Sequence, residues 1–374
     1  MRILMFYQSA VSDWNHGNAH FLRGVAAGLI ARGHDVRIYE PFDSWCMENL
    51  LKEYGTKAIR KFEARFPCLK ITRYDFKKLD MEECVDGADL VIVHEWNRHE
   101  LVNRIGRIKA ATRSFRLFFH DTHHRSLTES ASIERFDLSN YDGVLAFGLA
   151  IKDIYARHGW TDRVYVWHEA ADTNVFRPVK QDNFAGDVVW IGNWGDEERT
   201  SEIYDFFVGP VRELKLKSRA YGVRYPASAI MDLKNSGIEY AGWLPNYEVP
   251  ETFSRFKATV HIPRRPYSKF LPGIPTIRPF EALACGIPLV SAPWEDSENL
   301  FTPGEDFLIA HNKKEMKKYL KDVLNDEGLA HALSEHGLKT ILSRHTCAHR
   351  VEELFHILGT EDAKPNAQKQ TEAA

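Results

Sequence analysis

Short apolar runs alternate with stretches of helical periodicity twice along this chain, and that rhythm limits its fold more than any other feature. Apolar runs at 3–7, 36–39, 90–94, 116–120, 143–147 and 164–167 are separated by helical stretches around 18–31, after 94 and over 150–158. A parallel neighbour strand is reached only through a crossover, so strands that alternate with helices read as a parallel sheet covered by helices. The rhythm restarts at 188–191, with a helix over 201–214, runs at 219–222, 239–241 and 259–262, a helix from about 277 and a run at 288–291. The fold class expected is therefore α/β, with two doubly wound, Rossmann-like domains at 1–180 and 186–345 and a C-terminal helix over 346–358. A length of 374 residues agrees, being more than one hydrophobic core usually organises. Between the domains, Asp172-Thr173-Asn174-Val175-Phe176-Arg177-Pro178 is polar and closed by proline, as a linker is, while 359–374 lacks apolar anchors and reads as a disordered tail. Such sheets bind ligands at the carboxyl ends of their strands, and the two domains are expected to face each other across a cleft.

Several function classes fall away on composition and spacing. A net charge of -3 with no Lys/Arg-rich block gives no basic field for nucleic acid. The opening run at 1–7 is too short for a signal peptide, and no stretch approaches the roughly 18 apolar residues of a transmembrane helix, although peripheral membrane contact stays open. Cys46, Cys68, Cys84, Cys285 and Cys347 form no CxxC pair, which argues against a disulfide framework or structural zinc and for a reducing cytoplasm. After Tyr7 the chain runs QSAVSDWNHGNAHFLRG, without the GxGxxG of a dinucleotide site, and no Walker A or DxD sequence occurs.

Residues 270–290 read FLPGIPTIRPFEALACGIPLV. The part FEALACGIPLV resembles the nucleotide-binding helix of family 4, or group 1, glycosyltransferases. EAADTNVFRP at 169–178 is similar to the interdomain segment of that family, and EYAGWLP at 239–245 followed by ATVHIPRR at 258–265 is similar to the strands before its donor site. Within that family these residues most resemble the CgeB-like transferases. The resemblance is specific over about 168–300 and architectural before that. It implies a GT-B enzyme that moves a sugar from a nucleotide-diphosphate-sugar, a substrate rather than a cofactor, to a hydroxyl of a glycan, lipid-linked or small-molecule acceptor. Glycan or cell-surface polysaccharide synthesis and a diphosphate held without a metal are part of that expectation.

The chemistry of the stretch agrees. Gly273 and the prolines hold an open loop, and the amides of Ile274, Thr276 and Ile277 at the start of a helix suit an anion such as the donor diphosphate. Glu281 has two oxygens for the two ribose hydroxyls, or else it is an acidic residue favoured by the helix dipole, with Gly273 a simple turn glycine. The family's retaining members carry a first glutamate eight positions earlier, and here that position is Gly273, so the paired-glutamate signature is incomplete. Arg199 follows the loop after 188–191, where relatives place a basic residue against the donor phosphates; a solvated arginine balancing Asp196, Glu197 and Glu198 is the alternative. Arg264 and Arg265 end another strand near the same face.

In the N-terminal half, Asp13, His16, Gly17 and Asn18 lie between the first strand and first helix. Gly17 would let backbone approach a ligand, and His16 or Asp13 would orient or deprotonate an acceptor hydroxyl, unless His16 or Asn18 merely caps the helix. His20 reads as a packed helix residue. His120-Asp121-Thr122-His123-His124 ends a later strand; the resemblance implies that His120 lies near the transferred sugar, with Asp121 and Glu95 on the acceptor side. The same cluster with His94 and Glu95 could instead ligate the metal of a hydrolase, and a non-catalytic glycan-binding module is the third reading. Trp14, Trp96, Trp194 and Trp243 suit either sugar stacking or core.

Overall fold

The computed structural model describes residues 1–181 and 183–359. The expected tail, from 360 on, lies outside the described residues. The described residues divide into two compact units, one of Met1–His168 with the segment 347–359, the other of Glu169–Thr346.

In the first unit seven strands, β1 (Arg2–Phe6), β2 (Asp35–Pro41), β3 (Ile71–Tyr74), β4 (Leu90–His94), β5 (Arg116–Asp121), β6 (Gly143–Ala146) and β7 (Val164–Val166), form one sheet. Their spatial order is β3-β2-β1-β4-β5-β6-β7 and every pairing is parallel. Ile3, Leu4, Met5 and Phe6 of β1 and Leu90, Val91, Ile92 and Val93 of β4 are all fully buried, as central strands covered on both faces must be. The strand order reverses between β1 and β4, which places the ligand-binding switch point at their carboxyl ends. β3 is a four-residue edge strand, half polar, and gave no apolar run to read from the sequence.

The second unit repeats the plan with β8 (Gly186–Ile191), β9 (Ser218–Tyr221), β10 (Ile238–Tyr240), β11 (Phe256–His261), β12 (Leu289–Ser291) and β13 (Leu308–Ile309). The order is β10-β9-β8-β11-β12-β13, again all parallel, with the switch point between β8 and β11. The helix expected over 201–214 runs from Thr200–Ile203 through a π turn, Tyr204–Val208, into Gly209–Leu214.

Two boundaries differ in position from the sequence reading. Residues 169–178 belong to the second unit, where Phe176 is fully buried and Ala171 bridges Thr346. The helix Cys347–Leu358 belongs to the first unit because its apolar face, Val351, Leu354 and Phe355, is covered there. It is fastened by the Trp167 indole donating to Arg350 O at 2.8 Å and by an ion pair of Arg32 with Glu352 at 3.1 Å.

Candidate functional site

The loop after β1 is shaped by two buried ions. Arg23, on the helix Ala19–Ala31, is 1% exposed and donates to Ala10 O at 2.6 Å and Val11 O at 3.0 Å. Its third contact is an ion pair with Asp13 at 3.0 Å. Glu40, fully buried in β2, accepts from the amides of Ala10 and Val11 at 2.5 and 2.9 Å. Backbone polar groups in a buried loop need partners, and these two side chains supply them from opposite directions. Asp13 is thus the counter-ion of Arg23 and holds the loop.

His16 sits 6% exposed at the end of that loop, its Nδ1 3.1 Å from Ser9 O. A ring nitrogen facing a carbonyl carries the proton, so Nε2 presents a lone pair, and among the described residues no hydrogen-bond partner meets it. Burial, then the charge of Arg23, push the imidazole down to about 4. The side chain of Asn18 occupies the N-cap position without capping; its amide donates to Thr122 O at 3.2 Å. Gly17 is exposed at the loop tip, and Asn15 (φ 57) takes the left-handed turn.

Two further histidines adjoin His16. The His94 ring centroid lies 6.0 Å from that of His16 and 5.5 Å from that of His120, at the ends of the paired strands β4 and β5. His94 Nε2 is 2.9 Å from Thr122 Oγ1. His120 packs on Trp167 with centroids 4.9 Å apart, and neither of its ring nitrogens has a hydrogen-bond partner among the described residues. Burial pushes His120 down to about 3, and burial with the neighbouring histidines lowers His94 as well. All three are neutral at physiological pH. Beside them Glu95 and Asp121 are fully buried, Glu95 accepting from Thr122 N at 2.9 Å and Asp121 from Tyr155 Oη at 3.0 Å. Burial raises Asp121 to about 6 and, with the charge of Asp121, raises Glu95 well above its usual range, so the pair holds a proton near neutrality. Among the described residues no three His, Cys, Asp or Glu side chains are grouped to hold a metal ion. His94 Nε2 and one oxygen of Glu95 are already committed to Thr122.

The corresponding end of the second unit has the opposite electrostatics. Gly273 has φ +86, its amide donates to Glu295 O at 2.7 Å, and a Cβ there would lie 2.7 Å from Glu298 Cγ and 2.9 Å from Ser297 Oγ. Only glycine fits, because the loop of Glu295–Glu298 occupies the space a side chain would need. Ile274 is core, 1% exposed, its amide bonded to Leu271 O at 3.4 Å. Thr276 is a β-branched residue at φ 60, a costly conformation that persists only where its surroundings impose it. Its hydroxyl is 3.3 Å from His261 Nε2, and His261 Nδ1 is 2.9 Å from Ser291 Oγ, so one buried imidazole ties the strained loop to β11 and β12. From Thr276 and Ile277 the helix Ile277–Ala284 begins, and first-turn amides have no partner inside a helix.

Glu281 is fully buried in that helix and ion-paired with Arg278, one turn earlier. Burial, and then the charge of Glu281, raise nearby Glu169 well above the usual carboxylate range. Arg199 donates to Ile262 O at 2.6 Å and to Asn193 O, clamping the loop after β8 to the end of β11. Burial first, then repulsion by Arg264 and Arg278, lower Arg199 to about 9, still protonated at neutral pH. The same Arg199 and Arg278 charges, after burial, push His261 down to about 3. Arg264 pairs with Glu198 at 3.1 Å. Arg265 pairs with Glu202 at 3.0 Å, and its backbone amide donates to Glu198 O at 3.0 Å. Gly195, Asp196 and Glu197 all take positive φ (92, 50 and 69) beside an open cleft of about 810 Å³ lined by Trp194, Thr200, Tyr204, Arg224, Ser228 and Arg265.

The fold thus gathers Arg199, Thr276, Ile277 and Glu281 around Arg278 and His261, with Arg265 on the adjoining loop, while Gly273 and Ile274 pack inward. In the first unit it gathers His16 and His120 around His94; Asp13, Glu95 and Asp121 form the buried support. Arg278 and His261 had no role in the sequence reading. Arg278 left a signal: a cation in the first turn of a helix opposes the macrodipole, a local conflict that marks an anion site or a buried partner. Trp14 and Trp194 are each 4% exposed and belong to the core, whereas Trp96 is exposed, with the Arg125 guanidinium over its ring at 4.4 Å.

Residues 199–356 match a family model described as glycosyl transferase-like. No curated protein sequence matches the chain. Among solved structures, HepE from Anabaena in complex with UDP and glucose is similar over 96% of this chain and 100% of that one, with TM-score 0.70 and 12% identity. An alpha-glucosyltransferase in complex with UDP and a 13-mer DNA gives TM-score 0.69 at 13% identity, covering 96% and 100% of the two chains. Sucrose-phosphate synthase from Thermosynechococcus elongatus gives 0.63 at 12% identity over 96% and 98%. At such identities the likeness is one of fold, and the fold is GT-B: two Rossmann-like units, each built on a parallel sheet. Among the described residues no helix is long and apolar enough to cross a membrane.

Proposed function

We propose that the protein is a glycosyltransferase that moves a sugar from a nucleotide-diphosphate-sugar, held by the second unit, to an acceptor hydroxyl received at the ligand end of the first. The observation that carries this reading is the match of residues 199–356 to the glycosyl transferase-like family, because it spans Arg199, the 273–277 loop and Glu281. The arginine cluster and the first-turn amides at Ile277 supply positive charge where a diphosphate departs, so the reading needs no metal. Glu281 takes the ribose hydroxyls and Arg278 orients it. The neutral imidazoles of His16 and His120 accept hydrogen bonds from sugar or acceptor hydroxyls, and His16 Nε2 is the acceptor for the transferred proton. UDP is the first nucleotide to test, since similar structures hold it.

The finer assignment is a CgeB-like member acting in glycan or cell-surface polysaccharide synthesis, with retention of configuration and a glycan, lipid-linked or small-molecule acceptor. A cytoplasmic setting suits five cysteines that form no disulfide among the described residues. The test is incubation with a panel of UDP- and GDP-sugars while following both the melting temperature and slow release of the nucleoside diphosphate. A cognate donor raises the melting temperature and is hydrolysed or transferred. Indifference to every donor in both assays contradicts the proposal.

A further inference from the structure

The segment 52–78 contains nine Lys and Arg against three Asp and Glu, a surplus of six positive charges in a chain whose net charge is -3. The run is interrupted too often to read as a basic block, but the fold gathers it. Lys57, Arg60 and Lys61 stand at i, i+3 and i+4 on the helix Thr56–Arg65, whose Ala58 and Phe62 face the core. Lys52 ends the preceding helix Trp45–Tyr54, and Lys70, Arg73, Lys77 and Lys78 lie along or beside β3, the edge strand of the sheet. All of these except Arg73 are exposed. Of the three acids, Glu53 is engaged by the Trp14 indole at 2.9 Å and Asp75 by Lys78 at 3.8 Å.

Large aromatic side chains border this face. Phe42 is 55% exposed, Trp45 46% and Tyr54 40%, three of the few large apolar side chains that the described residues leave in water. Arg73 lies over the Phe42 ring at 5.1 Å, and Trp45 meets Trp14 of the β1 loop edge-on at 5.1 Å, so the aromatic rim joins the basic strand edge to the loop that carries His16.

We propose that this face is a docking surface for an anionic lipid bilayer. Diffuse positive charge is drawn to anionic headgroups, and exposed Trp, Tyr and Phe seat at the headgroup boundary. Lipid is favoured over nucleic acid because six of the nine cations are lysines, point charges without the fork that reads phosphates bidentately, and because the rings stand at the rim and not between the charges. This rests on the charge and exposure of the face and is independent of the transfer reaction. Its consequence is that the β1 loop is presented to molecules carried in the membrane.

The test is sedimentation of the full chain with phosphatidylcholine vesicles and with vesicles containing about one-third phosphatidylglycerol. The expected result is binding only to the anionic vesicles at low salt and release at about 0.5 M salt. The triple variant Lys57→Gln, Arg60→Gln, Lys61→Gln should partition on the order of 100-fold more weakly with an unchanged melting temperature, and Trp45→Ala should weaken binding at fixed charge. The salt response of the unaltered protein reads the proposal even if the triple variant folds poorly. No binding to anionic vesicles at low salt, equal binding by a folded triple variant, or retention on duplex DNA in preference to vesicles overturns it.

Discussion

The two units share a strand order and a ligand end, yet they fill that end with opposite chemistry. In the first, three buried imidazoles are neutral and two buried carboxyls hold a proton near neutrality, so these five polar groups together carry little charge. In the second, the charges of Arg264 and Arg278 act on Arg199, and those of Arg199 and Arg278 act on His261. A sheet topology fixes where a ligand goes, and side-chain charge decides which. On the proposed function, the first unit serves hydroxyls and a proton and the second an anion.

The most severe way to break this contrast is to remove the imidazoles. His16→Ala and His120→Ala should each depress transfer by about 10²–10⁴-fold while leaving nucleotide affinity near its original value. If nucleotide binding falls in step with turnover, the two units do not divide the work as described.

Next in size is Arg278→Gln. It leaves Glu281 fully buried without its cation and close to Glu169, which should cost about 3 kcal/mol of stability as well as weakening nucleotide binding. Chemical denaturation and calorimetry on one preparation measure both, and an unchanged denaturation midpoint would show that the pair is not what neutralises Glu281.

Acid sharpens the comparison. The folded-state values of His16 and His120 are lowered to about 4 and 3, so the unfolded chain takes up protons below its ordinary value of about 6.5 while the folded chain does not. Their contribution is present above that value and lost as pH falls. The raised Asp121, at about 6, acts the other way, because the folded chain binds its proton first. Between pH 7 and pH 5 the two histidines lose about 2 kcal/mol each and Asp121 offsets about 1 kcal/mol of that, so these three groups together weaken the first unit as pH falls. Hydrogen exchange followed by peptide mass should show that loss in the first unit ahead of the second, which has one such histidine in His261.

The smallest effect expected is that of Gly273→Ala. Positive φ and the contact with Glu298 together should cost about 1–2 kcal/mol, enough to lower the melting temperature by several degrees. A silent substitution would mean that the 295–298 loop yields freely.

Much of this was legible in the sequence. Buried parallel strands such as β1, β4 and β8 are continuous apolar runs and announce themselves. So does the 273–281 stretch, where Gly, Pro and Glu stand at positions with a local reason. Harder to read were β3, too short and too polar for a run, and the helix Cys347–Leu358, whose apolar face is plain but whose unit depends on contacts hundreds of residues away. Asp13 illustrates the limit at the site. Its place in a loop between strand and helix suits catalysis, and only the fold shows Arg23 donating to it from ten residues on. The exposed basic face was hidden for the same reason, its charges being separated along the chain and adjacent only once helices and edge strand are built.

On the proposed function, the second unit holds the donor diphosphate with side chains and helix amides and without a metal. Calorimetric titration of UDP into the protein in the presence of EDTA tests it most directly. The expected result is a saturable heat of binding that is unchanged when magnesium replaces the chelator and that is strongly reduced in Arg199→Gln. Silence in EDTA for UDP and GDP alike, with binding restored by magnesium or manganese, would contradict it.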